Sequence, residues 1–296
     1  LAVNDYLWDR SGRDEEVERL ERLLGPLALR PRVRPRKVRT LVAVAMAAAM
    51  LGAISLPFFL PAEKGPSYLV DGRPLRAGAV VDTSRESRTI ELAGIGSLVA
   101  ERHARVRVLS ISERLHKLRL DLGTVHAKIN WDARPRLFQV ETPATTCVDL
   151  GCKYTLTVDR DGSTFVHVLT GRVAFHEGGR EVYVPAGAFC RAWPGRGSGT
   201  PMWDDASPEL VEAVRVLERS SGPSRETAAR AVVRGCSRAK DTLTIWHLLQ
   251  DEERGVVQVG LDALGAPPEG VTVEAILRRD PAALEAWRDY LEWNWH

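Results

Sequence analysis

The sequence predicts a mixed fold, β plus α: a cytoplasmic helix, one transmembrane helix, an all-β domain of solenoid or sandwich type, and a C-terminal domain of short helices in a HEAT-like series. Three observations predict it. Residues Thr40 to Ala62 form an uncharged run, TLVAVAMAAAMLGAISLPFFLPA. Residues 66–193 alternate apolar and polar side chains between turn signals. From Ser207 onward, apolar residues recur at helical spacing between breakers. The 296 residues are enough for one large domain or two ordinary ones. A content of 44 % hydrophobic and 27 % charged residues excludes wholesale disorder, collagen and disulfide frameworks. The formal net charge of +2 carries no averaged sign of a nucleic-acid partner.

Residues 1–39 are too few to build a core of their own. They nevertheless show helical order: Val17, Leu20, Leu24 and Leu27 recur at spacings of three or four, with acids and arginines between them. Ser11 is placed to cap this helix, with Asp14 three residues on, and Gly25-Pro26 stops or kinks it. Tyr6, Leu7 and Trp8 add an apolar cluster upstream. A short helix with an apolar stripe and no domain to cover it awaits a partner. The set Tyr6, Trp8, Val17, Leu20, Leu24 and Leu27 is the expected contact surface. A stripe lying on a membrane is the bland alternative, but Asp14, Glu15, Glu16, Glu18 and Glu21 would be repelled by anionic lipid.

The run at 40–62 would be about 34 Å long as a helix, against a bilayer core of about 30 Å. It is longer than a signal-peptide core and begins too late to be one. Arg30, Arg32, Arg34, Arg36, Lys37 and Arg39 precede it without an acid. The excess of basic residues on that side places residues 1–39 in the cytoplasm and 63–296 across the membrane, with lipid headgroups as contacts of the arginine-rich flank.

Strand alternation is visible in Arg105-Val-Arg-Val108, Lys117–Leu122, Tyr154–Val158 and Val182–Val184. Asp71-Gly72, Gly123, Asp161-Gly162, Gly171, Gly178-Gly179 and Gly187 supply turns. Residues 194–206 read as a linker, with Gly and Ser at Gly195–Gly199. The helical domain then occupies 207–296. Ser207-Pro208 is a cap followed by proline in the first turn, with Leu210, Val214 and Leu217 as the stripe. Further helices are expected at about 224–236, 240–251, 254–264, 272–279 and 281–291. Trp246–Leu249 fits a buried helix, and Trp287, Tyr290, Trp293 and Trp295 pack as core or present a partner surface.

Candidate chemistry is sparse. Cys147 and Cys152 flank a turn and, in an oxidising compartment, are placed for a local disulfide that only their Cα separation decides. No cysteine spacing matches a zinc ribbon or a thioredoxin motif, and the seven histidines are scattered. No nucleophile elbow or phosphate loop occurs. We therefore expect no catalytic residue, no metal, no cofactor and no enzyme.

The ordered run Leu120-Asp-Leu-Gly123, Phe138-Gln-Val140-Glu-Thr-Pro143, Leu150-Gly151, Tyr154, Val158, Val166-x-Val168-x-x-Gly171-x-Val173 and Val184-Pro-Ala-Gly187 resembles the FecR domain over roughly residues 90–192. The opening Asp5-Tyr-Leu-Trp-Asp9 with its acidic amphipathic helix resembles the cytoplasmic segment of membrane-bound anti-sigma factors. The resemblance implies a single-span protein of the bacterial inner membrane. It implies an outer domain that meets a periplasmic protein or envelope ligand, and a tail that binds an extracytoplasmic-function sigma factor without touching nucleic acid. Residues 1–39 contain no His or Cys, so a zinc-dependent anti-sigma mechanism does not apply. The C-terminal part reads as helical where iron-signalling members carry an α/β module. The other reading is a membrane-anchored envelope-binding or scaffold protein with no transcriptional role.

Overall fold

The computed structural model describes Arg19, Arg22, residues 67–177 and residues 180–295. Arg19 and Arg22 are helical and exposed. The rest of the expected N-terminal helix, and with it Tyr6, Trp8, Val17, Leu20, Leu24 and Leu27, lies outside the described residues. So does the run 40–62. No helix among the described residues is long and apolar enough to cross a membrane. The fold class is corrected accordingly, to a mainly β domain followed by C-terminal helices. The single-pass inner-membrane placement, which required that helix, is corrected with it.

Chain order begins with short strands: β1 (Tyr68–Val70), β2 (Arg73–Leu75), β3 (Val80–Asp82), β4 (Arg88–Leu92), β5 (Gly96–Ala100) and β6 (Arg105–Ile111). The longest strand, β7 (His116–Ile129), follows, then β8 (Phe138–Glu141), β9 (Thr146–Asp149), β10 (Lys153–Val158) and β11 (Thr164–Thr170). The last are β12 (Arg172–Glu177), β13 (Arg180–Pro185), β14 (Ala188–Trp193), β15 (Gly197–Ser198) and β16 (Met202–Trp203).

Strand β7 belongs to two sheets. Its first half pairs antiparallel with β6 and parallel with β8, and the sheet continues through β9 and β12 to β13. Its second half pairs with β5 and β10, and that sheet continues through β11 to β14. The change of partners falls at Gly123, where φ is +92° and an added Cβ would lie 2.5 Å from the Ala104 Cα. Only glycine fits so close an approach of two backbones. Alternate residues of both sheets, among them Ile90, Leu98, Val125, Leu156 and Val166 with Val106, Leu118, Phe138, Phe175 and Val182, enter one apolar core. Both sheets turn alternate side chains into this one core, and that in–out alternation is what made the strands readable.

The stretch expected as a linker is partly strand. β15 and β16 both pair with β14, so residues 197–203 extend the sheet. Helices follow: α1 (Pro208–Arg219), α2 (Pro223–Gly235), α3 (Thr242–Leu248), α4 (Arg254–Leu264), α5 (Val273–Leu277) and α6 (Pro281–Glu292). Ser207 caps α1, accepting the Leu210 N–H at 3.1 Å, and Asp280 caps α6 through Ala282 and Ala283. Leu210, Val214 and Leu217 of α1 join Ala228, Ala229 and Val232 of α2 and Val256 and Val259 of α4 in a second apolar cluster. Trp246, Leu249, Leu284, Trp287 and Trp295 join the sheet core instead. Residues 64–296 are consequently one compact unit.

Candidate functional site

Helices α3 and α6 cover the outer face of the β12–β13 edge. That is why β13 buries four consecutive residues, Val182 to Pro185, where a strand with one wet face would alternate. His247 fastens this joint. Its Nε2 accepts the Tyr183 backbone N–H at 3.1 Å and its Nδ1 donates to the Leu243 carbonyl at 2.8 Å. An amide can only donate and a carbonyl only accept, so the ring is the neutral Nδ1–H tautomer. Burial holds its pKa down at about 3. The Tyr183 hydroxyl donates to Glu292 at 2.7 Å and accepts from Arg172 at 3.0 Å.

Beside this joint lies a cleft of about 950 Å³. The β12–β13 edge gives it Glu177, Arg180, Glu181, Val182 and Tyr183, and the turn after β14 gives residues 195–198. The helical side adds Trp246 and Gln250, then Pro281, Leu284 and Arg288. Several charges on its walls are already matched. Arg136 Nη2 donates to both oxygens of Glu181, at 2.8 and 3.0 Å, and His176 reaches the same carboxylate at 2.5 Å. Burial opposes the Glu181 charge, but these bonds outweigh it and hold the carboxyl below the usual range. Arg288 pairs with Glu285 at 3.0 Å and Asp289 at 2.8 Å and sits 4.8 Å above the Tyr183 ring. Gly197, at φ +81°, lets the Glu177 carboxylate lie against the backbone, since a Cβ there would be 2.9 Å from it.

Arg180 is different. Its closest polar contact is the Ser198 carbonyl, 3.4 Å from Nη1, and its Nε bonds to nothing. Burial draws its pKa down, and the charge of Asp251 works against that. Asp251 itself is held by Arg225 at 2.7 Å. The Gln250 side-chain nitrogen is likewise buried and without a partner. Behind Arg180 a smaller cavity of about 70 Å³ is bordered by Glu218 and Arg225. Glu218 accepts the Thr200 N–H at 3.1 Å, yet burial lifts its carboxyl to about 7.

Of the residues singled out from sequence, Cys147 and Cys152 lie in and just after β9 as free thiols, like Cys190 and Cys236. Cys152 Sγ donates to Asp149 at 2.5 Å, and the Gly151 N–H reaches the other oxygen at 2.8 Å. Burial pushes both thiols far up, with the Asp149 charge adding to it. Trp246 to Leu249 is buried throughout. The aromatic tail divides: Trp287 and Trp295 are core, whereas Tyr290 and Trp293 are exposed. Among the described residues no group of three or more His, Cys, Asp or Glu side chains is placed to hold a metal. Sequence reasoning missed Arg180 and Gln250. Their polar type marks neither for the interior, yet Gln250 is buried and Arg180 half-buried beside α3 and residues 195–198.

No protein-family model and no curated protein matches this chain. Two solved structures of a candidate anti-sigma factor from Parabacteroides distasonis ATCC 8503 are similar to it, both at 16 % identity, with TM-scores of 0.37 and 0.36. The matches cover 47 % and 50 % of this chain, which spans 65 % of the length of either solved chain.

Proposed function

We propose that this protein is a sigma-factor regulator of FecR-like type. The reading rests on where the FecR-like run falls. Leu120–Gly123 is the bend of β7, and Phe138–Pro143 is β8 with the turn after it. Leu150-Gly151 is the β9–β10 turn, Tyr154 and Val158 are buried in β10, and Val166 and Val168 are buried in β11. Gly171 and Gly187 take the positive φ values of +75° and +79° at the turns before β12 and β14. Every element of the run has a defined structural job in one continuous sheet system, which supports a shared domain type over a chance string of apolar residues. The sigma-binding surface is the stripe Tyr6, Trp8, Val17, Leu20, Leu24 and Leu27, and residues 67–295 are the part that meets a second partner.

Replacing the chain in its own cells by one lacking residues 1–30 separates this reading from a scaffold. The regulator predicts a changed transcript level for genes under one sigma factor. An unchanged transcript profile contradicts it and favours the scaffold.

A further inference from the structure

We propose that the outer face of β7 and β10 binds an acidic polysaccharide, with Lys128 and Lys153 sharing one of its carboxylates. The two lysines stand directly opposite each other across the antiparallel pair, and both are exposed. Like charges so placed oppose each other, because directly opposite Cβ atoms are only about 5 Å apart. The other sheet shows how this chain relieves such a pair. Arg107 and Arg119 also face each other, between β6 and β7. Asp121 reaches both guanidinium groups, at 3.7 and 2.7 Å, and Glu141 comes within 3.7 Å of Arg119. Among the described residues, neither Lys128 nor Lys153 has an ion-pair partner. Two opposed ammonium groups without a carboxylate between them call for an anion from outside the chain.

Tight backbone packing fixes both positions. Gly96 of β5 sits against Lys128, and a Cβ there would lie 2.2 Å from the Lys128 carbonyl oxygen. Gly171 sits as close to the start of β10, where its Cβ would be 2.9 Å from that of Cys152. The next row of the same face holds His126, Thr155 and His167 in register across β7, β10 and β11. Thr155 Oγ1 lies 3.0 Å from His126 Nδ1, and Glu101 lies 2.7 Å from Nε2. Hydroxyl and imidazole groups beside a cation pair suit the hydroxyls of a sugar ring. The acids nearby set the charge density of the ligand. Glu91 stands in the lysine row, opposite Ser97, while Glu101 and Asp204 flank the histidines. They repel a duplex, which carries a charge about every 1.7 Å. A polysaccharide with a carboxylate on alternate rings brings one charge to the lysines and hydroxyls to the rest. This assignment is independent of the sigma-factor reading, because it uses only residues of the 64–296 unit.

The test is fluorescence anisotropy of an end-labelled hyaluronan oligosaccharide, with a carboxylate on every second ring, titrated with the purified full chain at low salt. Binding is expected, and dextran, which lacks the charge, should not compete. Lys128→Glu should weaken binding about tenfold or more, since an attractive charge becomes a repulsive one. The same substitution places opposite charges across the strand pair, so its melting temperature should equal or exceed the parent's. Arg105→Met, an exposed position on the other sheet, should leave binding unchanged. The proposal fails if the parent chain does not bind hyaluronan, if dextran competes, or if the folded Lys128→Glu chain binds as the parent does. Equal weakening by Arg105→Met overturns it as well. So does stronger competition by duplex DNA or polyglutamate than by unlabelled hyaluronan, because the face would then serve a polymer of another class.

Discussion

His247, buried, and Glu218, half-buried, are titratable groups whose pKa values move in opposite senses. The His247 pKa lies at about 3, below the ordinary value near 6.5, because burial penalises the imidazolium. Its neutral ring contributes stability that is complete above about pH 6.5 and is lost as pH falls toward 3. Glu218 is raised to about 7 by burial, so the folded chain binds a proton that the unfolded chain has released. That contribution is complete below about pH 4.5 and is lost as pH rises toward 7. Two predictions follow from these signs, both read by urea unfolding. His247→Gln, which keeps an acceptor and a donor, should flatten the loss of stability between pH 6.5 and 4. Glu218→Gln should equal the parent near pH 4.5 and exceed it at pH 8. A parent chain as stable at pH 4 as at pH 6.5, with His247→Gln no flatter, would refute the first. An equal deficit of Glu218→Gln at both pH values would refute the second.

At the scale of elements, the turn between β11 and β12 shows why two glycines with similar dihedral angles are not equivalent. Gly151 and Gly171 have φ of +92° and +75°. A Cβ on Gly151 would meet nothing within 4 Å, whereas one on Gly171 would meet the Gly151 carbonyl oxygen at 2.2 Å. Gly151→Ala should therefore cost about 1 kcal/mol, the left-handed penalty alone. Gly171→Ala should cost about 3 kcal/mol or more, because two strand ends must separate. Equal losses in thermal unfolding would show that the turns are free to move apart. Elements were legible in sequence where local physics decided them. Tyr154–Val158 alternates because one face is core, and Ser207-Pro208 caps α1 because serine and proline satisfy a helix start. Residues 197–203 were not legible: strands of two residues are too short to carry a period, and only pairing to β14 defines them. The bend of β7 was hidden for a similar reason. Gly123 reads as a turn in sequence, but it is the place where one strand passes between sheets.

At the scale of the molecule, sheet and helices share one core, so changes in the helices should be felt by the whole unit. Trp246 donates from Nε1 to the Leu284 carbonyl, and Trp295 packs 6.0 Å from the Tyr183 ring. Trp295→Ala should lower the melting temperature in a single transition. Two separated transitions would instead mean that β and α parts unfold independently. The candidate cleft was the least legible feature because it exists only through this tertiary joint. Arg180 follows Gly178-Gly179 and reads as an exposed hairpin arginine until α3 and the 195–198 turn are laid over it. The N-terminal stripe is the reverse case, plain in sequence and outside the described residues.

The central claim, regulation of a sigma factor through that stripe, is tested most directly by capture. The tagged full chain, recovered from its own cells, is expected to retain one sigma factor in stoichiometric amount, identified by mass spectrometry. The same chain carrying Leu20→Asp and Leu24→Asp should retain about tenfold less, while Arg180→Met retains as much as the parent. Absence of any sigma factor from the parent's eluate, or equal retention by the Leu20→Asp, Leu24→Asp chain, would contradict the account.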